Sequence, residues 1–143
     1  MNTARPQTNR SILNMGIFLL IITVLILLNR HSSPEYNIKE VTLPEAKALY
    51  DSGALVIDVR SEDAYIKRHI LGAISIPLSV LERSIPLSIA DAKAKTIEVY
   101  CGDGVTVGPE GTHILNQAGY KNAVNIKGGF SGWEKAGFPI EKK

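Results

Sequence analysis

Apolar positions along this chain follow two regimes. Ile12–Leu28 is an unbroken uncharged run, and within it Met15–Leu28 reads MGIFLLIITVLILL. From Val41 onward, short β-branched runs alternate with longer amphipathic ones. VTLPEAKALYDSG predicts a helix: Thr42 is an N-cap candidate, Glu45 completes a capping box, Pro44 suits the first turn and Gly53 is a stop. ALVIDV is short, apolar and β-branched, as a strand buried on both faces requires. SEDAYIKRHI predicts a helix capped by Ser61, and AISIP a strand ended by Pro77. VLERSIPLSIADAKA reads as two short helical pieces broken at Pro86. TIEVY is a strand, EGTHILNQAG a helix ended by Gly119, NAVNI the last strand and SGWEKAG a closing helical turn. Strands alternating with helices predict an α/β domain around a mostly parallel central sheet flanked by helices.

The uncharged run sits apart from this pattern. As a helix it rises about 25 Å, at the short end for a membrane span. Ser11 and Asn29 extend it to the interface. A cleaved signal peptide would show small residues after the run, whereas Arg30 and His31 stand there. The expectation is therefore a tail over 1–10, a transmembrane helix over 11–29, a linker over 30–37 and a domain over 38–143. Arg5 and Arg10 precede the span, and Arg30 and Lys39 follow beside Glu35 and Glu40. The positive-inside rule then leans toward a single-pass protein with its domain on the non-cytoplasmic (periplasmic) side.

Charge and cysteine count narrow the chemistry. The net charge of +2 resides in Arg5, Arg10 and Arg30 less Glu35, so residues 36–143 are formally neutral. A basic nucleic-acid footprint is unsupported. A single cysteine, Cys101, excludes an internal disulfide. With no second cysteine and only three scattered histidines, no metal site is expected.

Cys101 heads the stretch YCGDGVTVGPEG, which holds four of the twelve glycines. In open α/β sheets, ligands bind beyond the carboxyl ends of the strands, and Cys101 follows the strand TIEVY. Gly102 and Gly104 permit backbone angles that turn successive N–H groups toward one point. The next helix, with Pro109 near its first turn, adds the positive end of its dipole. Such a bowl of donors favours anionic sulfur, as thiolate or persulfide. The alternative is a packed small residue followed by an ordinary glycine loop, and this stretch alone leaves both open.

Three segments, in order, resemble rhodanese-type sulfurtransferases: ALVIDVRSEDAYIKRHILGAISIPL, YCGDGVT and VNIKGGFSGWEKAGFPIE. The resemblance spans Val41 to Glu141. It implies a five-stranded parallel sheet flanked by helices, and a catalytic Cys101 that cycles between thiol and persulfide without metal or organic cofactor. It also implies that Gly102, Asp103, Gly104, Val105 and Thr106 bind the sulfur, with Thr106 offering its hydroxyl or N–H. CGDGVT most resembles the mercaptopyruvate branch, where the loop reads C-G-S-G-V-T and a serine stands in place of Asp103. Thiosulfate-using members tend to carry cations in the two positions after the cysteine. The Asp103 carboxylate would repel a dianion, each unit-charge contact costing about 1 kcal/mol in water and more when desolvated. Thiosulfate is therefore expected to be a poor donor.

The phosphatase relatives lengthen the loop and end it on a phosphate-holding arginine; Thr106 and Val107 stand there instead. Asp58 and Arg60 in IDVR read as structural, hydrogen-bonding neighbouring loops, with Arg60 alternatively attracting anionic donors. In the family motif GHI, Arg68 replaces the glycine before His69, and His69 is implied to be structural. His113 is an ordinary helical position, and Phe130 and Trp133 are core. GPEG departs from the family's alanine-rich helix start and predicts a less regular, mobile helix entrance. The expected function is a membrane-anchored sulfurtransferase moving sulfane sulfur from a small-molecule or protein donor to a thiol or cyanide acceptor. The alternative is a catalytically weak module that tethers or senses persulfide for a membrane protein partner.

Overall fold

The computed structural model describes residues 10–28 and 35–143. The expected tail, except for its last residue, and most of the expected linker lie outside them. Two units separate, one up to Glu35 and one from Tyr36 to Lys143. In the first, helix α1 runs Arg10–Leu28, and Met15, Ile17 and Phe18 to Ile22 are exposed. Its exposure is described over 14–23 alone. Among the described residues no helix is long and apolar enough to cross a membrane. The transmembrane helix expected over 11–29 is therefore not supported.

The second unit is an α/β layer structure. Its elements are β1 (Glu40–Val41), α2 (Leu43–Asp51), β2 (Leu55–Asp58), α3 (Glu62–Lys67), β3 (Arg68–Ile70), β4 (Ile74–Ser75) and α4 (Leu78–Leu81). A 3₁₀ turn at Leu87–Ile89, β5 (Ile97–Tyr100), α5 (Val107–Gln117), β6 (Ala123–Ile126), α6 (Gly129–Lys135) and β7 (Ile140–Lys142) complete it. Five strands form one parallel sheet in the order β1-β6-β5-β2-β4. β5 and β6 are buried along their whole length, because helices cover both faces of the sheet. One core packs Ile57, Val59, Ile89, Ile97, Val99, Leu115 and Tyr120, with Cys101 at its margin. The other packs Val41, Ala46, Val56, Ile70, Tyr100, Val124, Ile126, Phe130 and Trp133.

The local signals explain most element ends. The Glu45 carboxylate accepts the Thr42 N–H at 2.7 Å and its hydroxyl at 2.8 Å, closing the N-terminus of α2. The expected helix over SEDAYIKRHI stops at Lys67. Arg68, His69 and Ile70 instead pair antiparallel with Lys142, Glu141 and Ile140. A partner seventy residues away overrode the local preference there.

A buried carboxyl stands out in β5. Glu98 lies between Val56 and Val124 of the adjacent strands and is 0% exposed. Neither carboxyl oxygen has a hydrogen-bond partner among the described residues. Burial pushes its pKa from the ordinary 4.5 up to about 8, so it is held as the neutral acid at neutral pH.

Candidate active site

The carboxyl ends of β2, β5 and β6 converge on one edge of the sheet. There Tyr100 leads into the loop 101–106. Two neighbours hold that loop by its carbonyls. The N–H groups of Phe130 and Ser131, in the first turn of α6, donate to Cys101 O at 2.8 Å and Gly102 O at 3.0 Å. The Asn125 Nδ2 of β6 donates to Gly104 O at 2.8 Å and to Glu40 Oε1 at 3.0 Å. The approach is tight enough to need glycine. A Cβ on Gly104, whose φ is +81°, would stand 2.6 Å from Gly128 N and from Ile126 O.

The helix after the loop corrects one expectation. α5 begins at Val107 and is continuous through the GPEG stretch, rather than irregular. Gly108 is buried against the sulfur: a Cβ there would lie 3.1 Å from Cys101 Sγ and 2.5 Å from Asn125 Oδ1. A Gly111 Cβ would lie 3.0 Å from Val59 Cγ1. The glycines that break the family pattern therefore let α5 close onto the cysteine and the end of β2.

Cys101 is 1% exposed. Its Sγ accepts the Gly104 N–H at 3.2 Å, stands 3.5 Å from Thr106 Oγ1, and donates to Asp103 Oδ1 at 3.3 Å. Three further donor bonds of the loop go to a carboxylate instead. The N–H groups of Val105 (3.0 Å) and Thr106 (3.2 Å) and the Thr106 hydroxyl (3.0 Å) all donate to Asp103 Oδ1. This is the ordinary habit of an aspartate, whose side chain bonds backbone groups two and three residues on. The Val105 N–H is the chief reason that the Asp103 carboxyl is held below its usual range; burial opposes it, and the bonds from Cys101 and Thr106 add to the lowering. The bowl of amides anticipated around the sulfur is thus centred on a carboxylate, with Gly104 alone among the described residues donating its N–H to Sγ.

Arg60 belongs to an adjoining network. The buried Asp58 carboxylate accepts Arg60 Nε at 3.0 Å, Arg60 Nη2 at 2.6 Å, the Arg60 backbone N–H at 2.9 Å and the Tyr100 hydroxyl at 2.6 Å. Arg60 also donates to Arg68 O at 2.7 Å and lies 4.3 Å over the Phe130 ring. The Tyr100 hydroxyl accepts the Ile70 N–H at 3.2 Å. Burial first, then Asp58, pushes the Tyr100 phenol far up, so it stays a donor to the carboxylate. A bidentate, half-buried ion pair commits the guanidinium to β2 and β3. The structure brings Cys101 and Gly102 to Thr106 together, while the hydrogen bonds of the Arg60 guanidinium go to Asp58 and Arg68 O.

His69 stacks on Tyr65 at 3.9 Å and faces Glu141 at 3.3 Å, within the β3–β7 ribbon. His113 packs 4.9 Å from Tyr36. Trp133 is fully buried and donates to Pro139 O at 2.9 Å. Sequence reasoning missed Asn125, Gly108 and Gly129 as parts of the site. A polar residue at a fully buried strand position was the signal for Asn125; the other two needed the fold.

A parallel five-stranded sheet with a cysteine-headed, amide-rich loop at the end of its central strand is the arrangement of a rhodanese-like domain. The sequence matches the rhodanese-like domain family over residues 42–136, and the chain belongs to it. Relatives include the thiosulfate sulfurtransferase GlpE of Haemophilus influenzae, 30% identical over 105 residues, covering 73% of this chain and 96% of that protein. Another is the uncharacterized protein slr1261 of Synechocystis, 28% identical over 111 residues, covering 78% of this chain and 60% of that protein. Among solved structures, a human single-domain sulfurtransferase, TSTD1, superposes with a TM-score of 0.58 at 30% identity, covering 67% of this chain and 95% of that one.

Proposed function

We propose that the domain is a sulfurtransferase that carries sulfane sulfur on Cys101, from a small-molecule or protein donor to a thiol or cyanide. One observation carries this reading: Sγ at the end of β5 accepts the Gly104 N–H inside a loop fixed by α6 and Asn125. A preorganised donor is worth most where the accepting sulfur gains negative charge. Attack of the Cys101 sulfur on a donor's sulfane sulfur forms the Cys101 S–S bond and breaks the donor's bond to that sulfur. Attack by an acceptor thiolate or cyanide on the outer sulfur returns the cysteine. Full-length protein treated with glutathione persulfide is expected to gain one sulfur atom by intact mass and to release it to cyanide. Cys101→Ser is expected to do neither; equal loading of the variant would remove the basis of the proposal.

A second reading has its own observation. Sγ is buried and Asp103 takes three of the loop's donor bonds, which suits a module that holds or senses persulfide for a protein partner. Stable loading without turnover to any acceptor would favour it. For location, we propose from the charge-free run of the sequence a single-pass anchor over 11–29 with the domain on the non-cytoplasmic side, although among the described residues no helix is by itself long and apolar enough to cross a membrane. The protein should then stay with membranes through alkaline carbonate washing. A reporter fused after Lys143 and active only in the cytoplasm should stay silent; activity would reverse the orientation.

A further inference from the structure

The hydrogen bonds of the loop bear on which donors it accepts. Four groups are positioned to serve an anion at Cys101: the N–H groups of Gly104, Val105 and Thr106, and the Thr106 hydroxyl. Three of them converge on Asp103 Oδ1. That same oxygen accepts the Cys101 thiol at 3.3 Å. The carboxylate is an internal anion, seated where a substrate's anionic group would otherwise sit.

We propose that Asp103 selects hydropersulfide donors, R–S–SH, over thiosulfate, because it fills the loop's anion position with its own carboxylate. This deepens the sulfurtransferase reading and rests on it. Thiosulfate brings sulfonate oxygens that only accept hydrogen bonds. To be held, they must take Val105, Thr106 and the hydroxyl from Asp103 and then lie beside its freed charge. A hydropersulfide brings a terminal S–H, and Oδ1 already accepts an S–H at this place. The step balances as Cys101–SH + R–S–SH → Cys101–S–SH + R–SH. The Sγ–S bond forms, the donor's S–S bond breaks, and the proton leaving Sγ ends on the departing thiol. The new terminal S–H can take over the hydrogen bond that the cysteine thiol made.

Full-length wild type, Asp103→Ser and Asp103→Asn are compared with thiosulfate and glutathione persulfide, reading kcat/KM for sulfur transfer to cyanide. Asp103→Ser should raise kcat/KM for thiosulfate by about tenfold or more, the effect of one lost unit-charge contact in a partly desolvated site, and lower it for the persulfide. Asp103→Asn keeps an oxygen for the loop amides without the charge, so its gain with thiosulfate should be smaller. A second readout needs no turnover: inorganic sulfate should slow iodoacetamide alkylation of Cys101 in Asp103→Ser and not in wild type. If wild type loads from the persulfide but the donor ratio stays within about twofold across the variants, well under the tenfold expected of a lost charge contact, the selectivity role of Asp103 is overturned alone. If neither donor loads any of the three proteins, the sulfurtransferase reading falls and this inference with it.

Discussion

Glu98→Met is expected to stabilise the domain, and to do so increasingly as pH rises from 5 to 8. The wild-type carboxyl is fully buried between Val56 and Val124, and neither oxygen is hydrogen-bonded by any described residue. Its pKa is pushed from 4.5 up to about 8 by burial. The sign follows from proton counting. Between those values the unfolded chain has lost the proton and the folded chain keeps it. Folded stability therefore falls as pH rises, by about 1.4 kcal/mol per pH unit, and levels off above the folded pKa. Below 4.5 this term vanishes, because both states are protonated. Methionine has similar length, no charge and no unmet hydrogen-bonding atoms, so it removes the slope and the burial cost together. The gain should reach a few kcal/mol at pH 8, large against a typical stability of about 5–15 kcal/mol. Urea denaturation of both proteins from pH 5 to 9 tests it. Curves that run parallel across that range would mean Glu98 is not the unpaired acid described.

Glu98 also marks the limit of reading this fold from its sequence. Hydrophobic patterning located β2, β5 and β6, because strands buried on both faces must be apolar and β-branched. It was blind to two of the polar residues that those strands carry inward, Glu98 and Asn125. Asn125 resolves its burial partly by bonding Gly104 O and Glu40, which makes it a support of the loop. Glu98 has no such resolution. The ribbon of β3 and β7 was invisible for another reason: Arg68–Ile70 has no strand signature until Ile140–Lys142 arrives to pair with it. At the site, a thiol ahead of glycines after a strand was legible; that Asp58 and Arg60 bond each other rather than neighbouring loops alone was not. The direction in which the amides point was not. Gly102 and Gly104 allow a bowl, but Asp103 competes for the same donors, and only geometry shows that it wins. GPEG was misjudged because glycine weakens isolated helices, whereas here Gly108 and Gly111 admit Cys101 and Val59.

Gly129→Ala is expected to cost more than 2 kcal/mol of stability and nearly all sulfur loading, the combined result of strain and collision. Gly129 has φ +51°, a left-handed conformation that alanine adopts only at a cost. An added Cβ would collide with Cys101 O and would stand 2.7 Å from Gly104 N and 3.0 Å from Asp103 N. All three are backbone atoms of the loop, so no side chain can swing aside to make room. Relief requires α6 and the loop to separate. That would break the Phe130 and Ser131 N–H bonds to Cys101 O and Gly102 O, which fix the loop's curvature. Gly137 supplies the control. Its φ is +73°, yet among the described residues nothing lies within 4 Å of the position a Cβ would take. Gly137→Ala should therefore show the backbone cost alone, about 1 kcal/mol, and keep its sulfur loading. Denaturation curves and Cys101 persulfide yields for the two variants, the latter taken where both remain folded, separate strain from collision. If Gly129→Ala loads sulfur as well as Gly137→Ala does, the contact between the glycine pair of α6 and the loop is not what shapes the site.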